Sequence, residues 1–227
     1  MSARPRAETA PAPFSIECRA CPRLAQHLDS VRAEYPDYHA RPVPAFGDSP
    51  RACRLLIVGL APGMHGANRT GRPFTGDYAG VLLYETLHRY GYGNQARALA
   101  RDDGLKLSGC RITNAVKCLP PQNKPQPDEV RRCNIHLKAE LGPLPAGTAI
   151  LALGAIAHQA VLMSFGLRRA DYAFGHGARH ALPSGHALFD SYHCSRYNTQ
   201  TKRLTAEMFR DVFEAIAEHV GSQTGAR

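Results

Sequence analysis

The sequence predicts an α/β fold, a three-layer α/β/α sandwich with a central four-stranded parallel sheet. Three observations lead there. Four short strand-like segments punctuate the chain, at Leu55–Val58, Arg111–Val116, Ala149–Leu153 and Leu188–Tyr192. Each is followed by residues at helical spacing, and this alternation of strand and helix is the signature of a parallel sheet covered on both faces. The runs at 55–58 and 149–153 are apolar without alternation, as strands buried on both faces must be.

In chain order, residues 1–13 are rich in Ala, Pro and Arg and are expected to be a disordered tail. Cys18 and Cys21 then precede Pro22 and a helix carrying Leu24, Leu28 and Val31. Four prolines between 36 and 50 predict an extended surface loop. The first strand runs into a loop with glycines at 59, 63, 66, 71 and 76, and Asp77 stands where the next helix should be capped. That helix presents Val81, Tyr84, Leu87 and His88 and stops near Gly91; residues 94–109 are expected to be partly helical. The second strand leads through Asn114, Lys117 and Cys118 into a proline-rich loop. Pro127 opens a helix with Asp128 and Glu129 in its first turn, where they complement the helix dipole. After the third strand and its helix, residues 166–186 are expected to be an exposed loop rich in Gly, Arg and His. The fourth strand delivers His193, and a final helix carries Phe209, Val212, Ile216 and Val220. We therefore expect one domain over 14–220 and a short tail over 221–227.

The 227 residues carry 28 Lys+Arg against 19 Asp+Glu, a formal charge of +9. Such a surface attracts polyanions, nucleic acid first among them. No apolar run approaches the ~20 residues that cross a bilayer, and the N-terminus has no apolar secretory core. A cytoplasmic protein is expected. Seven cysteines are an odd number for a disulfide framework and point to a metal or cluster. Cys18 with Cys21, and Cys118 with Cys133, are spaced as ligands; four thiolates suit tetrahedral zinc or an iron–sulfur cluster, and spacing does not choose between them.

Ligand sites in open α/β sheets lie beyond the carboxyl ends of the strands. Asp77, Asn114 and His193 all follow parallel strands, so a carboxylate, an amide and an imidazole share one sheet edge. Capping explains Asp77 and turn formation explains Asn114 without any chemistry; their convergence with His193 favours a site. The glycine-rich loop lacks both the Gly-Lys-Ser/Thr ending of a nucleotide P-loop and the G-x-G-x-x-G pattern, which disfavours nucleotide hydrolysis.

Several ordered motifs together resemble family 5, the UDGb type, of the uracil-DNA glycosylase superfamily. They are Gly59-Leu-Ala-Pro-Gly63, the loop His65-Gly-Ala-Asn-Arg-Thr-Gly71 ending in Phe74-Thr-Gly-Asp77, Thr113-Asn-Ala-Val-Lys-Cys118, and His193-Cys-Ser-Arg-Tyr-Asn-Thr199 with Thr201 and Leu204. The resemblance implies removal of uracil from DNA and a [4Fe–4S] cluster on Cys18, Cys21, Cys118 and Cys133. It also implies that Asp77 assists water attack, Asn114 binds the uracil edge, Phe74 stacks on the base, His193 meets a base carbonyl, and the backbone of Gly59, Leu60 and Ala61 lines the pocket. Leu60, Ala61 and Pro62 offer no polar side chain, so water activation falls to Asp77, and the looser pocket fits other deaminated bases such as hypoxanthine. Contacts to DNA are expected from Asn68, Arg69, Arg72, Ser195, Arg196, Tyr197, Asn198, Lys202 and Arg203, with Arg196 and Tyr197 filling the gap in the stack. The partner is DNA containing a deaminated base, met by a monomer. The competing expectation is a non-catalytic, zinc-stabilised nucleic-acid-binding module; an enzyme of free nucleotides has no need of so much positive charge.

Overall fold

A computed structural model describes residues 14–224. The expected N-terminal tail, 1–13, lies outside the described residues. The four predicted strands form the parallel centre of a six-stranded sheet. They are β2 (Leu55–Gly59), β3 (Cys110–Asn114), β4 (Ala149–Leu153) and β6 (Ala187–Ser191). Two short strands extend it: β1 (Phe46–Gly47) pairs antiparallel with β3, and β5 (Arg179–Ala181) antiparallel with β6, giving the order β1-β3-β2-β4-β6-β5. Both edge strands fall in segments expected to be loops. At two and three residues they are too short to show a periodic pattern.

The sheet interior divides by residue parity, as a period of two requires. Leu55, Ile57, Leu151, Leu153 and Phe189 face α3 (Tyr78–Arg89) and α7 (Ala206–Thr224), meeting Leu83, Tyr84, Leu87, Phe209, Phe213 and Ile216. Leu56, Val58, Ile150, Ala152 and Leu188 face the other layer, α1 (Pro22–Glu34), α4 (Pro127–Leu141) and α5 (Ala155–Ser164). Two cores of large apolar side chains thus hold the sheet from opposite sides, which is why β2 and β4 read as unbroken apolar runs.

Helix ends follow local chemistry. Pro22 and Pro127 occupy first-turn positions, where a missing N–H costs nothing. The Glu129 carboxylate accepts the Gln126 backbone N–H at 2.7 Å and is paired with Arg23, which ties α4 to α1. The stretch 94–109 is turns and a single bridge between Gly93 and Leu107, not the part-helix its alanines and leucines predict. The Asp103 carboxylate explains the difference. It accepts the backbone N–H groups of Leu99, Ala100 and Leu105, wrapping the chain around itself. Helix α7 continues to Thr224, four residues into the segment expected to be a tail.

Candidate active site

The loops leaving β2, β3 and β6 enclose a cavity of about 440 Å³, and a short segment from the proline-rich loop adds Asn123. Its walls include Leu60, Ala61, Phe74, Asp77, Asn114, His193, Ser195 and Arg196. The carboxylate, the amide and the imidazole expected at one sheet edge therefore line one hollow.

Asn114 is the last residue of β3, only 3% exposed, and its Oδ1 has no hydrogen-bond partner. Gly59, beside it at the end of β2, has no room for a side chain: a Cβ there would lie 2.7 Å from Phe74 Cζ and collide with Asn114 Oδ1. The missing methyl lets ring and amide close over the strand end. Phe74 has a positive φ of 53°, an expensive conformation for an aromatic residue. Its neighbours impose it. Tyr84 OH donates to the Pro73 carbonyl at 2.7 Å, and Arg72 Nε donates to Thr75 Oγ1 at 2.8 Å.

Asp77 caps α3 by accepting the Gly80 N–H on Oδ1 at 2.9 Å. Burial nonetheless raises its pKa, with the Gly80 and Ala79 amides pulling the other way. Gly66 packs against it so closely that a Cβ would fall 2.5 Å from Asp77 Cβ. His193 stacks near Phe74, ring centroids 5.9 Å apart and planes 27° apart. Burial pushes its pKa down to about 4, so the imidazole is neutral at physiological pH. Asn198 Nδ2 donates to the His193 carbonyl at 2.8 Å and holds the loop. Asp77, Tyr78 and Arg196 also border an outer groove of about 920 Å³, whose rim includes Arg69 and Arg97. The carboxylate thus stands where the pocket meets a second, basic groove.

The family model of the uracil-DNA glycosylase superfamily matches residues 46–217. The chain belongs to that superfamily. It is 52% identical over 202 residues to the type-5 uracil-DNA glycosylase of Thermus thermophilus, covering 86% of this chain and 90% of the relative. It is 40% identical to the type-5 uracil-DNA glycosylase of Pyrobaculum aerophilum (91% and 90% covered) and 42% identical to that of Mycobacterium bovis (90% and 78% covered). The chain is a type-5 member of the superfamily.

Two residues expected at DNA, Arg72 and Asn68, are turned inward. Arg72 is 4% exposed: besides Thr75 it bonds the Arg101 carbonyl and pairs with Asp103 at 2.7 Å, with its guanidinium over the Phe46 ring. Its donors are spent inside the protein, so it is a clamp on the Phe74 loop and not a phosphate contact. Asn68 is fully buried in the short helix α2 (Ala67–Thr70), which removes it from the surface too. Ser195 caps α6 (Arg196–Gln200), accepting the Asn198 N–H, while Asn198 serves the His193 carbonyl. Arg69, Arg196, Tyr197, Lys202 and Arg203 are exposed as expected. Gly63, Ala67, Tyr78, Ala79 and Asn123 line the pocket without having been singled out. Asn123 has a φ of 56°, and Asn between prolines is a recognisable signal for that conformation, though not for a pocket.

Cys18, Cys21, Cys118 and Cys133 border one small cavity at the α1–α4 end, on the other helical layer. The Lys117 N–H donates to Cys133 Sγ at 3.3 Å. Burial raises the Cys118 thiol, and the neighbouring cysteines raise it further; burial pushes Cys133 up to about 11. Four thiols that oppose one another's ionisation become a stable thiolate set when cationic iron or zinc stands among them. Lys117 itself is buried, its Nζ paired with Glu140 at 2.9 Å and bonded to Thr113.

Proposed function

We propose that the chain removes uracil, and other deaminated bases sharing its edge, from DNA by hydrolysing the N-glycosidic bond. The observation that carries this is the orphaned Asn114 Oδ1 at the pocket floor. A buried acceptor without a partner is costly, and it is made good by a ligand that brings an N–H. Uracil presents an N–H between two carbonyls; cytosine has no hydrogen at that ring nitrogen. Hypoxanthine and xanthine carry the same N–H beside a carbonyl, and the apolar Leu60–Pro62 stretch sets no polar side chain against a larger ring.

The nucleotide is flipped out of the duplex, at a cost of a few kcal/mol that is lowest in a mispair, and the base slides along Phe74. As the C1′–N bond breaks, its electron pair passes to the base and C1′ becomes cationic. His193, a neutral N–H donor in a dry site, stabilises the negative charge on the base carbonyl. Asp77, ionised at the pocket mouth, stabilises the cationic sugar and orients the water whose oxygen bonds to C1′; the water's proton is passed to the carboxylate and on to solvent. Arg69, Arg196, Lys202 and Arg203 hold phosphates, and Tyr197, 70% exposed, fills the vacated stack. We read the protein as a monomer acting on DNA in the cytoplasm, where it would meet the nucleoid; among the described residues, no helix is long and apolar enough to cross a membrane.

The four cysteines would hold a [4Fe–4S] cluster. Among the described residues, the set of three or more ligand atoms within 4.8 Å of one another lies elsewhere in the fold. The cluster reading rests on the resemblance of the cysteine motifs to the family's and on the four thiols sharing one small cavity. When bound, the cluster supplies a rigid crosslink between the N-terminal segment, the loop after β3 and α4. The hydrolysis needs no electron from it. Cys133→Ser should bleach the brown protein and lower its melting temperature while sparing activity per folded molecule.

The deciding experiment incubates the protein with a labelled duplex holding one U·G pair and then cleaves abasic sites with alkali. Strand cleavage at the uracil is expected; an intact strand would end the proposal. Duplexes with hypoxanthine or xanthine in place of uracil test the shared edge.

A further inference from the structure

Away from both the pocket and the cysteines, three side chains from three elements converge. His158 of α5 lies with Nδ1 2.7 Å from Asp190 Oδ1 on β6, and His180 of β5 lies with Nε2 3.5 Å from Asp190 Oδ2. The three donor atoms fall within 4.8 Å of one another. Nothing in the glycosylase chemistry uses them.

We propose that His158, His180 and Asp190 form a second metal site, one for a divalent transition ion of the zinc type. Two imidazoles and one carboxylate are the donors such ions prefer over calcium or magnesium, and three protein ligands leave a fourth position for water. The surroundings are arranged as they are around metal ligands. His158 Nε2 donates to the Tyr172 carbonyl at 2.9 Å, which fixes the ring and leaves Nδ1 to face the centre. The Gly175 N–H reaches Asp190 Oδ2 at 3.4 Å. Phe174 and Tyr172 set their rings edge-on against His158 and His180, keeping the site dry.

The decisive atom is His180 Nε2, which is buried and makes no hydrogen bond. A proton shared between His158 and Asp190 satisfies those two residues and leaves this nitrogen only a long 3.5 Å contact with Asp190 Oδ2. A cation gives all three a partner, after the short His158–Asp190 contact opens by a few tenths of an ångström. The side chains of His158 and Asp190 are 2% and 0% exposed, whereas that of His180 is 18% exposed and provides the way in. The bound ion would pin β5 and α5 to β6, the strand that delivers His193 two residues after its end.

The test uses the intact protein with its cysteine ligands filled, stripped of loose metal by a mild chelator and titrated with zinc chloride. Calorimetry should find one equivalent bound, and the melting temperature should rise by about 5 °C at saturating zinc. His180→Ala should lose both effects while excising uracil at the wild-type rate. Equal zinc uptake by wild type and His180→Ala, or no uptake by either, would overturn the proposal. Should that variant misfold, cobalt added to the wild-type protein decides by difference spectrum. Weak d–d bands without sulfur-to-cobalt charge transfer support the site, and charge transfer alone, or no band, refutes it. Either result is independent of whether the U·G duplex is cleaved.

Discussion

The base pocket and the cysteine end are built on opposite terms. Around the cysteines, polar groups are paired in depth: Arg23 with Glu129, Glu129 with the Gln126 amide, Lys117 with Glu140 and Thr113. In the pocket, Asn114 Oδ1 has no partner, burial raises the pKa of Asp77 and lowers that of His193, and Phe74 keeps an unfavourable φ. One end spends its interactions on holding the chain together; the other keeps them open for a ligand. The difference locates function more sharply than cavity size does, since the larger groove beside the pocket contains no comparable orphan atom among its lining residues.

The contrast can be broken most directly at Asp77. Asn caps a helix as well as Asp, so Asp77→Asn should leave the melting temperature within about 1 °C while lowering kcat about 10³-fold. A variant that melted early and kept its turnover would return Asp77 to capping alone. Arg72→Ala comes next. It strands Asp103, whose carboxylate Arg72 holds well below the usual range, and should cost about 3 kcal/mol in denaturant unfolding. Because the same guanidinium braces Thr75, kcat should fall as well, which a purely structural arginine remote from the loop would not cause.

Acidity sharpens the comparison further. His193 has a folded pKa of about 4, below its unfolded 6.5, so it contributes no penalty above pH 6.5. Between pH 6.5 and 4 the unfolded chain binds a proton the folded chain refuses, and stability should fall by at most roughly 3 kcal/mol. Asp77 has the opposite sign: its raised pKa makes the folded form the better proton binder, so its ionisation costs stability as pH rises above the ordinary carboxylate value. Activity should therefore climb with one acid limb set by Asp77, placed above the ordinary carboxylate value. A limb near 6.5 in kcat/KM would mean that His193 titrates as an exposed histidine. The smallest effect is expected at Arg69, where Ala should weaken DNA binding and reduce the salt slope by about one, leaving kcat alone.

The positions of the four central strands and of the main helices, the cysteine pairs and the convergence of Asp77, Asn114 and His193 were legible because each rests on a local pattern. An apolar run, a proline at a helix start, or a polar residue directly after a strand carries its meaning in neighbouring residues. Arg69 and Arg72 show where such reading stops. They are three residues apart in a basic, glycine-rich loop and look alike in sequence, yet one is exposed and the other is buried against Asp103, a partner 31 positions away. Residues 94–109 lost their expected helix to that same aspartate. The edge strands β1 and β5 exist because longer strands offered them a free edge, and Asn123 entered the pocket because the proline-rich loop folds back over it.

The sequence by itself determined the layered α/β architecture, the family and the chemistry available at the sheet edge, since periodicity and residue type act over a few positions. Only the tertiary structure decided which arginines reach the surface, which amide is left without a partner and which histidines meet an aspartate. Those outcomes depend on burial and on pairing between residues distant in the chain, and both are set when the layers close.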